Sequence, residues 1–142
     1  MKKVIFLVAL CIGTIASAQQ LSMDLTKALK NDDTNAISTL VTDDNKNTCY
    51  EVGRTSSSVA HLAVQMGSAD VLEFLIQEKK VDLNNTCGGL TPLMQAVKYS
   101  QPNLVAILVK AGADTTIKVD GKTAADYITE GDRAAKIKKL LD

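Results

Sequence analysis

Apolar residues recur along the chain as adjacent pairs, with a second pair four residues after the first. The pattern occurs three times in full and once in part, as Ala36-Ile37 with Leu40-Val41, Val71-Leu72 with Leu75-Ile76, Leu104-Val105 with Leu108-Val109, and Ile137 with Leu140-Leu141. Successive copies lie 35, 33 and 32 residues apart, measured between Leu40, Leu75, Leu108 and Leu140 in turn. Positions i, i+1, i+4 and i+5 share one broad face of a helix. The pattern therefore predicts four helices that repeat one another.

A second apolar pattern precedes each of these helices. Its members stand at i, i+3 and i+4, as Leu25, Ala28, Leu29, then Ala60, Ala63, Val64, then Leu93, Ala96, Val97, and more weakly as Ala125 with Ile128. This spacing also marks one face of a helix, so each unit is predicted to contain two antiparallel helices. Alanine recurs at the middle position, and its small side chain lets neighbouring helices approach closely.

Polar, turn-forming stretches of 13 to 16 residues separate these units. They include Asn84-Asn85-Thr86-Cys87-Gly88-Gly89 and Val119-Asp120-Gly121-Lys122, whose glycines and asparagines suit hairpin turns with positive φ. One helix pair of this length cannot bury its apolar face alone, so the units must stack and share a continuous core. The sequence therefore predicts one all-α solenoid domain over residues 19–142.

Three segments of the chain resemble the ankyrin repeat, a 33-residue unit made of a hairpin and two helices. Thr91-Pro92-Leu93-Met94-Gln95-Ala96 is similar to the family signature Thr-Pro-Leu-His-x-Ala, Ser58-Val59-Ala60-His61-Leu62-Ala63 keeps its histidine and alanine, and Gly121-Lys122-Thr123-Ala124-Ala125-Asp126 is a degenerate copy. The resemblance implies an ankyrin-repeat solenoid of about four helix-hairpin units, with degenerate caps and short β-hairpin loops.

The resemblance also places the unit boundaries. A capping unit is expected at about 23–57, repeats at 58–90 and 91–122, and a C-terminal cap at 123–142. The glycine that the family has between its two helices appears only as Gly67, with Asp32, Ser100 and Asp132 at the matching positions. The first hairpin region, residues 42–57, is two to three residues longer than the others, and we expect it to be irregular.

The first 18 residues have the pattern of a secretory signal peptide. Lys2 and Lys3 precede a mostly apolar stretch over residues 4–15, and Ala16-Ser17-Ala18 has the small-x-small form of a cleavage site. The stretch is shorter than the roughly 20 residues of a membrane-spanning helix. We expect cleavage after Ala18 and export to a periplasm or out of the cell. A lipid-modified Cys11 is the alternative. Lipoprotein signals resemble one another in having a small residue directly before the cysteine, whereas this chain has Leu10 there.

The charge balance excludes two classes of partner. Without Lys2 and Lys3 the chain keeps 14 basic residues against 16 acidic ones, a net charge of about −2. Nucleic acids and anionic membranes both attract basic surfaces. No later apolar run reaches the length of a membrane span. We therefore expect no nucleic acid as partner and no membrane span. The ankyrin resemblance implies another protein as partner, and we expect a monomer.

The residues offer little for catalysis or for metal binding. His61 is the only histidine, and the resemblance implies that it hydrogen-bonds within its own turn, at the hairpin-to-helix junction. No zinc-like Cys and His spacing, glycine-rich phosphate loop or activated serine is present. Asp32-Asp33 and Asp43-Asp44 are interpreted as cap and turn residues. We expect a protein that is not an enzyme and holds no metal or cofactor.

Cys49 and Cys87 are the two cysteines that remain after the predicted cleavage, in a compartment that permits oxidation. Equivalent positions in neighbouring units lie about 10 Å apart because of helix packing, and a disulfide needs Cα atoms within about 7 Å. The two cysteines are not equivalent, however, so the longer first loop could lean across. A structural disulfide and two free thiols both remain open, whereas no Cys-x-x-Cys spacing supports a redox-active pair.

The resemblance implies a partner-binding surface on the concave face, formed by hairpin tips and by the last turn of each first helix. The hairpin tips would contribute Arg54, Leu90 and Lys122, and the helices Gln65, Met66, Lys98 and Tyr99. Tyr99 and Met66 are the strongest candidates, because an exposed aromatic ring beside a flexible apolar side chain can form a binding hot spot.

We interpret the chain as an exported, non-catalytic module that binds a protein on its concave face. The alternative is a stress or redox-protective protein that supports an antioxidant enzyme, as the resemblance to exported bacterial ankyrin proteins suggests. Cycling of Cys49 and Cys87 between thiol and disulfide would favour the alternative. The fold alone does not choose between the two.

Overall fold

A computed structural model describes residues 21–142. The predicted signal peptide, residues 1–18, and Cys11 lie outside the described residues. The helices and strands are α1 (Met23–Lys30), α2 (Thr34–Leu40), β1 (Tyr50–Val52), β2 (Thr55–Ser57), α3 (Val59–Met66), α4 (Ala69–Phe74), α5 (Pro92–Lys98), α6 (Pro102–Lys110) and α7 (Ala134–Leu141). A π-helical turn, Leu75–Lys79, continues α4, and two short 3-10 turns span Cys87–Gly89 and Ala124–Tyr127.

Short polar side chains set the starts of α1, α2 and α5. Ser22 Oγ accepts the N–H of Leu25 at 3.2 Å, and Asp33 Oδ1 accepts the N–H of Ala36 at 3.0 Å. Thr91 caps α5 in the same way, and Pro92 follows at the first helical position, where its missing N–H leaves no hydrogen bond unmade. These caps fix where α1, α2 and α5 leave the preceding loops.

The core lies between the first and second helices of the stacked units, as both apolar patterns predicted. Ala28, Ala63 and Ala96 are buried between α1, α3 and α5, which pack side by side. The second helices contribute fully buried side chains such as Ile37, Leu72 and Leu108. The helical solenoid predicted from the sequence is therefore confirmed.

The last unit differs from its prediction. Its first helix is only the 3-10 turn Ala124–Tyr127, and Ala124 is buried at 2% exposure while Ala125 is exposed. The expected core position was therefore wrong by one residue. A 3-10 turn has about 3.0 residues per turn instead of 3.6, so the position that faces the core shifts. Asp126 closes the turn by accepting the N–H of Thr123 at 2.7 Å.

The three hairpin regions take three different forms. The first holds an antiparallel ladder in which Val52 pairs with Thr55 across Gly53, at φ +65°. Residues 50–57 are thus a regular hairpin, whereas residues 42–49 form turns and are irregular as expected. The third has a single bridge, Val119 to Lys122, around two residues with positive φ, as a tight hairpin turn requires. In the second, Gly88 and Gly89 both have positive φ and form a 3-10 turn instead of a ladder.

Asp32 and Ser100 take the left-handed conformation, at φ 53° and 54°, where the family has glycine. The Asp32 carboxylate uses this position to accept the N–H groups of Asp70 at 3.2 Å and Val71 at 2.8 Å, at the start of α4. One carboxylate therefore caps a helix of the next unit, which compensates for the strained backbone.

Asparagine side chains join consecutive units along the loops. Asn47 Oδ1 accepts the backbone N–H of Asp82 at 2.7 Å, and Asn84 Oδ1 accepts that of Asp114 at 3.0 Å. The two bonds have the same form one unit apart, so they set the spacing of the loops. Within residues 21–142, no helix has both the length and the apolar composition needed to cross a membrane.

Candidate functional site

A groove of about 200 Å³ lies between the first hairpin and the helices α3 and α5. We call it the hairpin groove. Its lining residues are Thr55, Ser56, Ser57, His61, Gln65, Cys87, Gly88, Leu90, Gln95, Lys98 and Tyr99. Four of the seven residues assigned to partner binding from the sequence, namely Gln65, Leu90, Lys98 and Tyr99, thus line one concavity.

The other three predicted residues lie outside this lining. Arg54 is exposed in the turn directly before the lining residue Thr55. Lys122 is exposed in the third hairpin, with Nζ 5.9 Å from the centre of the Tyr127 ring. Met66 is half-buried and packs against the core, so less of its side chain is available to a partner than the sequence suggested.

His61 joins the hairpin groove to the hairpin of the next unit. Its Nδ1 lies 2.7 Å from Ser58 Oγ, and its Nε2 lies 2.7 Å from the carbonyl oxygen of Leu90. A carbonyl oxygen only accepts, so Nε2 carries the proton and donates, while Nδ1 accepts from the Ser58 hydroxyl. The ring is 2% exposed and both nitrogens are bonded. His61 is therefore a structural tie that places Leu90 at the rim of the groove.

A disulfide joins Cys49 to Cys87 at the rim of the hairpin groove, with Cα atoms 5.7 Å apart. Cys49 is exposed, whereas Cys87 is 6% exposed and lines the groove. The longer first loop does lean across, because Asn85 Nδ2 donates to the carbonyl oxygen of Asn47 at 3.1 Å just beside the bond. The cross-link therefore holds the first hairpin against the second.

The stacked helix pairs agree with a known family of repeat proteins. The family model described as "Ankyrin repeats (3 copies)" matches residues 25–141. The chain belongs to the ankyrin-repeat family. Ankyrin repeats are in general protein-interaction modules without catalytic activity. A comparison with curated proteins finds no match.

Among solved structures, this ankyrin stack is similar to the crystal structure of the human ASB11 ankyrin repeat domain. The TM-score is 0.65 with 21% sequence identity, and the match covers 87% of this chain and 57% of that one. The chain thus spans little more than half the length of that domain. At this identity the likeness shows the shared fold alone.

Gln95 is a residue of the groove that the sequence analysis did not assign. It occupies the ankyrin signature position held by the buried Leu62 in the preceding repeat. Gln95 is 7% exposed, and its Oε1 has no hydrogen-bond partner within residues 21–142. A buried amide oxygen without a partner is unfavourable for folding by about 1–3 kcal/mol. Comparing the two repeats position by position would have revealed this polar residue among apolar ones.

The stability of the protein is expected to fall as the pH drops from about 7.5 to about 5.5. Burial lowers the pKa of His61 below its ordinary 6.5, and the hydrogen bond to Leu90 only partly opposes this. The unfolded chain then binds more protons than the folded one below about pH 6.5, so unfolding becomes easier. Aspartates with lowered pKa, such as Asp114 and Asp126, titrate below this window.

Urea unfolding at both pH values would measure the effect of His61. His61→Gln removes the titrating ring, so its midpoint should depend less on pH, although it should be lower throughout because the tie to Leu90 is weakened. An equal pH dependence in both proteins would assign the effect to other groups.

The described residues show no arrangement suited to metal binding. No group of three or more His, Cys, Asp or Glu side chains within residues 21–142 is placed to hold an ion. What the groove does contain is a mixture of exposed aromatic, cationic and amide side chains, which is the chemistry of a contact surface.

Proposed function

We propose that this ankyrin stack is a non-catalytic binding module that holds a segment of another protein in the hairpin groove. The observation that carries the proposal is Tyr99, which lines the groove with 46% of its side chain exposed. Large apolar side chains exposed to this degree are Met23 and Tyr99 within residues 21–142. A tyrosine in a groove offers a large, rigid contact area and a hydroxyl, as binding hot spots do.

The groove is also held in shape before any partner arrives. His61 fixes Leu90 from the side of α3, and the disulfide fixes Cys87 against the first loop. A rigid surface loses little conformational entropy on binding, so more of the contact energy appears as affinity. The groove is therefore suited to recognising one shape of partner.

We further propose that the module acts in a periplasm or outside the cell. The pattern of residues 1–18 supports export. A disulfide at the rim supports an oxidising compartment, because cytosolic proteins are kept reduced. The same disulfide favours a second candidate function, a redox-protective protein that supports an antioxidant enzyme, since the exposed Cys49 is open to exchange with another thiol.

The binding role can be tested by expressing the full-length chain in its native host with a C-terminal tag and capturing what binds. We expect a stoichiometric partner to be retained by the wild type and lost from Tyr99→Ala. Met23→Ala is the matched control, because it removes an exposed apolar side chain at the start of α1 instead. Retention by Tyr99→Ala at the wild-type level would exclude the hairpin groove as the binding site.

The two candidate functions differ in their response to reduction. A redox-protective protein would be found with mixed thiol and disulfide states in cells exposed to mild oxidant. A binding module would keep the cross-link throughout. Alkylation of free thiols before and after oxidant treatment, followed by mass spectrometry of the peptides containing Cys49 and Cys87, measures which state is present.

A further inference from the structure

The surroundings of the hairpin groove carry positive charge. Lys98 lines the groove, and Arg54 stands directly before it. Lys30 is the counterpart of Lys98 in the first unit, and Lys122 pairs with Val119 at the turn of the third hairpin; neither of the two lines the groove. All four side chains are exposed, and no carboxylate is among the lining residues of the groove.

None of these four side chains forms an ion pair closer than 4.0 Å within residues 21–142, although Lys122 lies over the Tyr127 ring and, beside hydrogen bonds from Thr123, helps to lower the pKa of Asp126. Within residues 21–142, the one ion pair closer than 4.0 Å joins Lys46 to Asp43 at 2.9 Å, in the loop after α2. Glu51 and Asp120 are the acidic residues of the hairpins, and neither pairs with Arg54 or Lys122. Arg54 and Lys98, which have no such neighbour in the described part of the chain, are therefore available to another molecule.

Composition does not explain this arrangement. The chain has equal numbers of acidic and basic residues, 16 of each. Among the second helices, α4 and the π-helical turn that continues it carry Asp70, Glu73 and Glu78, whereas α2, α6 and α7 carry no carboxylate. The helix dipole favours Lys30 and Lys98 near the C-terminal ends of α1 and α5. It does not account for Arg54 and Lys122, which stand in hairpin turns.

We infer that the segment held in the hairpin groove is an extended, acidic piece of polypeptide with an apolar side chain that contacts Tyr99. The inference rests on the proposed binding function. Carboxylates of the segment accept hydrogen bonds from Lys98 and Arg54, while Tyr99 and Leu90 contact the apolar side chain. A volume of about 200 Å³ accommodates a few side chains of such a segment.

Opposite charge at such a surface acts chiefly on the rate of association and on the choice of partner. Exposed pairs are screened by salt, so the contribution of the four cations should decrease as ionic strength rises. The groove would then reject basic segments of similar shape, because like charges repel across an interface. Specificity for acidic partners is thus a consequence of the charge pattern.

The test uses a labelled peptide of alternating glutamate and serine with one central leucine, and a second peptide in which glutamine replaces glutamate. Fluorescence anisotropy with the full chain should show tighter binding of the glutamate peptide. The groove variant Arg54→Gln/Lys98→Gln/Lys122→Gln should bind that peptide about tenfold more weakly, since each exposed ion pair contributes a fraction of 1 kcal/mol.

A matched control removes the same number of charges from α6 and α7, which contribute no lining residue to the groove. Lys110→Gln/Lys136→Gln/Lys138→Gln alters exposed lysines of α6 and α7 and should bind like the wild type. Equal weakening in both triple variants would overturn the inference, because net charge alone would then govern binding. Equal affinity of the wild type for the glutamate and glutamine peptides would overturn it as well.

The experiments distinguish a failure of the acidic-segment inference from a failure of the proposed binding function. If Tyr99→Ala loses a captured partner while the groove triple variant keeps it, the groove binds a protein and the acidic character of the segment is wrong. If Tyr99→Ala keeps the partner, the groove itself is the wrong site. Tm values for all variants establish that loss of binding is not loss of folding.

Discussion

Replacing both Cys49 and Cys87 with alanine is expected to lower the free energy of unfolding by about 4 kcal/mol. The cross-link joins residues 38 positions apart, and it removes conformations from the unfolded chain that the variant regains. Cys49 is exposed and Cys87 is small, so truncating the side chains adds little to this loss. Urea unfolding of the oxidised wild type and of the double variant measures the difference.

Reductant provides the control for this prediction. The wild type treated with a dithiol should unfold at nearly the same urea concentration as the double alanine variant. The variant itself should not respond to the dithiol. A wild-type midpoint that is unchanged by reduction would mean that the bond contributes nothing to stability in solution.

Gly88→Ala is expected to destabilise the protein by about 3 kcal/mol, combining left-handed strain with a steric clash. Gly88 has φ +67°, and a Cβ at this position would lie 2.5 Å from the carbonyl oxygen of Ser56. That atom belongs to the main chain of β2, so the clash cannot be relieved by a rotamer change. The Gly88 N–H also donates to Ser56 Oγ at 3.1 Å, which holds the two segments together.

Gly89→Ala separates the strain of the left-handed backbone from the steric clash. Gly89 has φ +78° but no atom within 4 Å of the added Cβ. It should therefore show the conformational strain alone, about 1–2 kcal/mol. Thermal or urea unfolding of both variants makes the comparison, and similar losses would show that the first hairpin moves away from Gly88 without cost.

The repeat pattern predicted most of the fold because each unit has apolar residues at the same helix positions. Ala28, Ala63 and Ala96 recur at one position, and all three lie where neighbouring helices meet. The pattern failed at Ala125 because the last unit has one short turn in place of a helix. A single 3-10 turn leaves too few residues for any period to be recognised in the sequence.

The candidate site was predictable where it depends on position within a repeat. Gln65, Lys98 and Tyr99 line one groove because the last turn of a first helix faces the same side in both repeats; their role in binding stays a prediction. Met66 was placed less well, since helix periodicity does not show how far a flexible side chain folds back onto the core. The disulfide could not be decided from spacing, because the path of the first loop depends on contacts such as Asn47 with Asn85.

The asparagine bonds between loops have a consequence for how such an array can lengthen by duplication. Residues 58–90 contain both a donor, the N–H of Asp82, and an acceptor, Asn84, so a tandem copy of this stretch would reproduce the linkage at its new junction. Residues 91–122 supply the donor, the N–H of Asp114, but Thr116 stands at the position that corresponds to the acceptor Asn84. The hydroxyl and the N–H of Thr116 both donate to the Asp114 carboxylate instead. A tandem copy of residues 91–122 would therefore lack the asparagine bond at its new junction. Lengthening of this array by duplication is thus favoured for residues 58–90 and not for residues 91–122.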